Sequence, residues 1–428
     1  MPTETVSRED LVARERELAA RYTELQAQGL RLDLTRGKPS PEQLALADAL
    51  DGVLDGDYLG PDGVDVRNYG GLDGLPAARR LGAGLLGVPE SEVIAGGNAS
   101  LTLMYQYLLN AWLRGPLGPE TAWRREGEPL KFLCVVPGYD RHFTITESLG
   151  FELINVRMLA DGPDMDEVER LVASEPLIKG IWCVPKYQNP TGHTFCDAVV
   201  RRLARLGKLA GPNFRIMWDN AYAVHDLYDD PPVLLDIMAC CREAGTEDSV
   251  VIFGSTSKIT RAGGGVAFLA ASPGNLAHFR KHLAVQTIGP DKLNQLRHVR
   301  FLPDRAAIAA LMSRHAAVMR PKFEAVLRHL DDGLTGIAAW TRPRGGYFVS
   351  VDVPPGTARE VVRLAGEAGV KLTPAGATFP YGRDPDDANI RLAPTYPGLE
   401  EIEQAMPVFV TAVGLADVRR RLRQASAP

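Results

Sequence analysis

Ile178-Lys179-Gly180-Ile181-Trp182-Cys183-Val184 is a short apolar run that ends at the turn residues Asn189-Pro190-Thr191-Gly192. A helix-patterned stretch, Asp197–Leu209, follows, and then a second apolar run, Arg215-Ile216-Met217-Trp218, that stops on Asp219. Two such runs with a helix between them read as a parallel strand–helix–strand unit. Thirty residues separate Asn189 from Asp219, room for one crossover helix. The same rhythm extends outward from about Gly60 to Ala271. Strands are predicted at Phe132–Val136, Phe151–Val156, Val250–Phe253 and Val266–Ala270, and helices at Leu101–Leu113 and Asp164–Ser174. The pattern is that of an α/β protein with a largely parallel sheet and helices on both faces. Such sheets bind ligands beyond the carboxyl ends of their strands.

The flanks differ. Ser7–Gln28 reads as an amphipathic helix with Leu11, Leu18 and Leu25 seven residues apart. The polar segment Leu34–Pro41 follows; its Gly37 beside Arg36 and Lys38 suits either close approach to a ligand or a plain turn. Beyond Arg305 come a long helical stretch to Leu330, a strand-like Gly346–Val353, a helix near Ala358–Ala368 and an apolar finish at Ile402–Val413. Ala425–Pro428 reads as a frayed tail. These flanks are expected to form a smaller α+β domain: residues 1–60 and 306–428 packing together beside a large domain at 61–305.

Composition narrows the class of function. With 428 residues, 45% of them hydrophobic and 24% charged, the chain is long enough for two or three domains with real cores. A net charge of −5 argues against nucleic acid or an anionic membrane as partner. No apolar run approaches the roughly 18 residues of a membrane span, and the first thirty residues lack the apolar core of a signal peptide. Five cysteines, an odd number without a CxxC pair, fit a reducing cytoplasm. His278 and His282 are four apart but lack the carboxylate of an HExxH pattern, so no metal is expected.

Four strand ends carry polar clusters. Pro137-Gly138-Tyr139-Asp140-Arg141 follows the first strand and Asn189-Pro190-Thr191-Gly192 another; Asp219-Asn220-Ala221-Tyr222 and Gly254-Ser255-Thr256-Ser257-Lys258 complete the set. Each alone is an ordinary turn, cap or loop charge. Together, in this order and on one edge of one sheet, they describe a site.

That order resembles the pyridoxal-phosphate enzymes of fold type I, specifically class I aminotransferases, from about Thr35 to Pro397. The resemblance rests on Asn-Pro-Thr-Gly, Asp-x-x-Tyr, Ser-x-Ser-Lys and the late Asn389-Ile390-Arg391. Arg67-Asn68-Tyr69-Gly70-Gly71, Gly96-Gly97-Asn98-Ala99-Ser100 and Ser257-Lys258-Ile259-Thr260 resemble the subgroup called aspartate aminotransferase type Ic. It implies a mostly parallel seven-stranded sheet in the large domain, pyridoxal 5'-phosphate as cofactor, and a homodimer with shared active sites. It also implies a ping-pong transfer of the amino group from aspartate to 2-oxoglutarate.

The resemblance assigns roles by position. Lys258 would hold the cofactor aldehyde covalently and then shuttle a proton. Asp219 would pair with the pyridine nitrogen, Asn189 and Tyr222 would reach the phenolic oxygen, and Tyr139 would stack on the ring. Asn98, Ala99 and Ser100, at a helix start, would cradle the phosphate with Ser255 and Ser257, and Tyr69 would reach it from the other protomer. Relatives carry an arginine seven or eight residues past the lysine, where this chain has Gly265 and Val266. Either Arg261 or the backbone amides of Gly263-Gly264-Gly265 would serve instead. Arg391 would clamp the substrate α-carboxylate, with Asn189 nearby and Gly37 closing over it. Arg141 is open between a clamp for a second carboxylate and a surface pair with Asp140 or Glu147.

Other donors fit the same skeleton: aromatic amino acids, kynurenine or 2-aminoadipate. A regulator built on an aminotransferase-like half would need a basic DNA-binding module, for which the segment before Tyr69 is too short and acidic. The glycines after Lys258 do not follow the strand–helix layout of a dinucleotide fingerprint.

Overall fold

The computed structural model describes residues 7–425. Its main sheet has eight strands in the order Val93–Ala95, Ala267–Ala271, Val250–Ser255, Arg215–Asp219, Ile178–Cys183, Lys131–Val136, Glu152–Leu159 and Gly162–Pro163. From Val250–Ser255 to Glu152–Leu159, five neighbouring strands run parallel. Ala267–Ala271 is antiparallel to both of its neighbours, and so is Gly162–Pro163 to its one. The expected count of seven is corrected to eight by the last of these. Gly162-Pro163 is a two-residue return at the sheet edge, too short to leave an alternating pattern in the sequence.

The central strands read as unbroken apolar runs because helices cover both faces. Every residue of Ile178–Cys183 and of Arg215–Asp219 is buried. One face packs Leu81, Leu203, Trp218 and Phe268 into a core, and the other packs Met104, Tyr107, Met217 and Phe279. Two cations inside these strands are held by partners, as burial requires. Lys179 Nζ donates to Glu126 Oε2 at 2.5 Å and to the Pro176 carbonyl at 2.7 Å, and Arg215 Nε donates to Tyr107 Oη at 3.0 Å.

A third core joins the two ends of the chain. Ser7 caps the Arg8–Ala27 helix by accepting from the Asp10 amide, and Leu11, Leu18 and Leu25 are buried, as their spacing predicts. Leu18 packs against the long Leu399–Ala425 helix at Gly414, where a Cβ would stand 3.4 Å from the leucine. Leu32–Asp33 pairs in parallel with Val370–Lys371, and Ala339–Trp340, Val349–Asp352 and Asn389–Leu392 form a three-stranded antiparallel sheet. The Arg305–Leu334 helix backs this core. The strand expected from Gly346 begins only at Val349, because the Gly346 amide is spent on the His225 carbonyl at 3.0 Å. The tail beyond Ala425 lies outside the described residues.

Candidate active site

The carboxyl ends of the five parallel strands bring the polar clusters to one edge. Val93–Ala95, which the sequence reading does not pick out, runs the same way and delivers Gly96-Gly97-Asn98 there too. Ser100 begins the following helix, Ser100–Arg114, one residue ahead of the predicted Leu101 start.

Asp219 closes its strand with 3% of its surface exposed. Its Oδ2 lies 2.9 Å from His142 Nε2, while Oδ1 is buried with no partner. A buried carboxylate oxygen left bare is costly, so an additional donor belongs there. His142 stacks flat on Trp182, centroids 4.1 Å apart at 6°, and meets the edge of Tyr139 at 4.9 Å. The Asp140–Ser148 helix thus presents Tyr139, its N-cap, and His142 on one face.

Lys258 follows the Val250–Ser255 strand, its Nζ 5.0 Å from the Tyr222 ring. It keeps some exposed surface, yet burial of the amine pulls its pKa below the ordinary lysine value, with Asp219 opposing the shift. Burial also raises Tyr222 well above the usual phenol range, with Tyr139 and Asp219 adding to it. Tyr139 is pushed up to about 12 by burial first, then by Asp219 and Asp140. Both phenols therefore stay protonated near neutral pH and can donate.

Arg391 sits on the Asn389–Leu392 strand, 8% exposed, its guanidinium 4.9 Å from the Phe348 ring. Its Nη1 donates to Asn189 Oδ1 at 3.2 Å and to Asp140 Oδ1 at 3.4 Å, and its Nε is buried without a partner. Gly37 lies against the same Phe348: a Cβ there would fall 2.2 Å from the ring. The Lys38 carbonyl accepts from Thr395 Oγ1 at 3.1 Å, tying this loop to the segment after the arginine strand.

Three segments meet where the sequence leads one to expect an anion cradle. Ala99, the N-cap of Ser100–Arg114, makes no side-chain capping bond, which leaves the first amides of that helix without a side-chain acceptor. Ser257 Oγ donates to the Asn98 carbonyl at 3.2 Å, Ser255 Oγ is 3.1 Å from Ser257 Oγ, and Asn98 Nδ2 reaches the Gly263 carbonyl at 3.4 Å. A Cβ on Gly265 would stand 2.8 Å from both the amide and the hydroxyl of Ser257, so the glycine is what lets the two loops meet. Arg261 is committed elsewhere: its two terminal nitrogens donate to Asp51 at 2.7 and 2.9 Å, and Asp48 lies 3.6 Å away. A phosphate-facing role would require it to leave these carboxylates.

Two further residues stand apart. Tyr69 is 83% exposed; its backbone carbonyl accepts from Lys292 Nζ at 3.2 Å and its amide donates to Asn68 Oδ1 at 2.9 Å. Arg141 is exposed, while the neighbouring Asp140 pairs with Arg391 rather than with it. The sequence reading misses His142 and Trp182. The available signal is the i, i+3 spacing of Tyr139 and His142 at the head of a helix beside a strand-end aspartate.

The residues present suit pyridoxal phosphate: a bare carboxylate oxygen for a ring N–H, a buried amine for an aldehyde, and uncapped amides with two hydroxyls for a phosphate. The comparisons agree with this chemistry. A Mycolicibacterium smegmatis protein described only as an aminotransferase is 49% identical over 422 residues, 97% of this chain and 98% of that one. An aspartate aminotransferase of Corynebacterium glutamicum is 48% identical over 405 residues, covering 94% and 93%. The crystal structure of an aspartate transaminase from the same organism superposes with a TM-score of 0.92 at 46% identity, covering 97% of this chain and all of that one. The family described as aspartate amino-transferase matches residues 6–425, and the chain belongs to it: the protein is a fold type I aminotransferase.

Proposed function

We propose that this chain uses pyridoxal 5'-phosphate to transfer the amino group of aspartate to 2-oxoglutarate, giving oxaloacetate and glutamate by a ping-pong cycle. The observation that carries the reading is that Arg391, buried with a free Nε beside Asn189, and Asp219, whose Oδ1 is bare, both act electrostatically on Tyr139 and Tyr222. Similarity to a named aspartate aminotransferase at 48% identity supports the donor.

When bound, the cofactor supplies an electron sink for charge developing at the substrate α-carbon. Lys258 would hold its aldehyde and would carry a proton on Nζ; the lowered pKa raises the fraction of neutral amine available for both tasks. Asp219, whose Oδ1 is free, would accept the ring N–H, and His142 and Trp182 keep the carboxylate in place. Asn189 and Tyr222 serve the phenolic oxygen and Tyr139 the ring face. Asn98, Ala99, Ser100, Ser255 and Ser257 receive the phosphate, with Arg261 a candidate only if it exchanges Asp51 for it. Arg391 orients the α-carboxylate, Gly37 closes on it, and Arg141 takes the second carboxylate.

We further read 61–305 as the cofactor-bearing domain, with 1–60 and 306–428 as the second, in a cytoplasmic homodimer. Tyr69 at 83% exposure and Ile288 at 64%, both lining one surface depression, supply a face of the kind a second copy would cover. Among the described residues no helix is long and apolar enough to cross a membrane.

The test is an absorbance spectrum of purified protein before and after aspartate, followed by a panel of donors with 2-oxoglutarate. Bleaching of a visible band by aspartate, and the highest kcat/KM for aspartate, are expected. A preference for 2-aminoadipate, kynurenine or an aromatic donor would overturn the substrate; colourless protein that turns over without cofactor would overturn the chemistry.

A further inference from the structure

Gln43 is fully buried, on the short Pro41–Ala45 helix that follows the Gly37 loop. Its Oε1 accepts the Ser40 amide at 3.0 Å, and its own amide donates to Ser40 Oγ at 3.3 Å. With Oε1 so used, the side-chain NH2 is the end that faces inward. It lies 3.2 Å from His315 Nδ1 and 3.3 Å from Tyr347 Oη. An amide NH2 only donates, so His315 Nδ1 must accept and its proton must sit on Nε2. That nitrogen lies 2.9 Å from the Ile259 carbonyl. Burial holds His315 below its ordinary pKa, in keeping with a neutral ring. Tyr347 accepts from Gln43 and donates to the Lys258 carbonyl at 3.4 Å, where His225 Nε2 also arrives at 3.3 Å.

The next residue after Tyr347 is Phe348, which carries Gly37 on its ring and Arg391 over its face. One dipeptide therefore meets the loop at two points: Phe348 meets Gly37 and Tyr347 meets Gln43. It faces the substrate-clamping arginine on one side and the lysine peptide on the other. Gln43, His315 and Tyr347 thus form an unbroken chain of contacts from Ser40 to the carbonyls of Lys258 and Ile259.

We propose that Gln43, His315 and Tyr347 are positioning residues that tie the placement of the Gly37–Ser40 loop to the backbone of Lys258, fixing where its amine stands when the loop is in place. None of the three needs to touch substrate. The inference rests on Lys258 being the reacting amine, but its structural half can be read without cofactor.

The experiment compares Gln43→Leu, which removes both donors at similar volume, with Tyr347→Phe, which removes one oxygen, in full-length cofactor-loaded protein. Amide hydrogen exchange is followed at Ile259 and Thr260, both bonded to the Thr256 carbonyl at 2.8 Å, and at residues 37–40. Expected is faster exchange at both segments in Gln43→Leu, with the Arg8–Ala27 and Leu399–Ala425 helices unchanged. A fall of about tenfold in kcat for aspartate should accompany it, exceeding any change in KM, the scale of one or two buried hydrogen bonds. Tyr347→Phe should speed exchange at Ile259 and Thr260 to a smaller degree; it carries the test alone if Gln43→Leu does not fold. Unchanged exchange at Ile259 and Thr260, or a uniform rise across all helices, overturns the proposal. Repeating the exchange without cofactor separates the two readings. Coupled exchange in a protein that never forms a Lys258 adduct would sink the functional assignment and leave the bridge intact.

Discussion

Asp219 and His142 share one contact, Oδ2 to Nε2 at 2.9 Å, which leaves the other carboxylate oxygen buried and bare. The stack of His142 on Trp182 fixes the ring plane, so the direction in which Oδ1 points follows from packing rather than from a loop. His142→Phe should keep the stack and lose the donor. A hydrogen bond to a charged group contributes roughly 1.5–3 kcal/mol, so cofactor affinity should fall about 10- to 100-fold. Equilibrium dialysis with pyridoxal phosphate measures it, and unchanged retention would remove His142 from the site.

Arg391→Lys tests the clamp. A lysine keeps the charge but loses the planar fork, and it would also give up the contact from Nη1 to Asn189. KM for aspartate and for 2-oxoglutarate should both rise by about 10- to 100-fold, with kcat less affected. A rise for only one of the two substrates would contradict a shared α-carboxylate site.

Much of this site was legible because its residues close strands. Asn189 and Asp219 stand at the ends of apolar runs, and a parallel sheet puts such ends together whatever the loops do. The order of strands was not legible, since register and neighbour choice depend on contacts far apart in the chain. Val93–Ala95 is three residues long and has no periodicity to read, although it delivers Asn98. His142 was hidden for a different reason: its partner lies 77 residues away, and a histidine in an amphipathic helix has the same pattern whether or not it faces a carboxylate. Arg261 was the nearest cation in sequence to the missing arginine, but Asp48 and Asp51 come from another segment and capture its guanidinium.

Arg141 lies in the first turn of the Asp140–Ser148 helix, exposed, with Asp140 turned to Arg391. The surface-pair reading with Asp140 is thereby weakened, since that carboxylate already has a cation. Arg141→Ala should raise KM for aspartate far more than for alanine, which lacks a second carboxylate. Equal changes for the two donors would take Arg141 out of substrate selection.

Gly37→Ala probes the loop by volume. The new methyl would meet Phe348 at 2.2 and 2.5 Å, well inside contact distance, so either the ring or the loop must shift. Because Phe348 lies beneath Arg391, the shift should register as higher KM for both substrates while the spectrum of the cofactor-loaded protein stays the same. A changed spectrum with normal KM would place the loop's influence elsewhere.

Acid should destabilise the fold earlier than its carboxylates alone would require. Burial lowers the pKa of His193, His225, His278, His282, His298 and His315, with nearby cations adding to it at several of them. Each is neutral in the native state at a pH where the unfolded chain, with an ordinary pKa of about 6.5, already binds a proton. The unfolded state therefore holds more protons, and stability must fall as pH drops through about 6.5 and onward to the lower native values. The deeply buried His225, His298 and His315 can each contribute up to about 1.4 kcal/mol per pH unit within that window, and the more exposed His278 and His282 contribute less because solvent screens them. Depressed carboxylates such as Asp65, held at about 2 by Arg67, add their loss only at lower pH, below about 4. Thermal unfolding between pH 8 and pH 5.5 should show a falling midpoint that begins near pH 6.5. His298→Asn, which keeps a short polar group beside Thr260 and Asn294, should make that fall shallower. A flat profile down to pH 5.5 would mean that these rings are protonated or released in the native state.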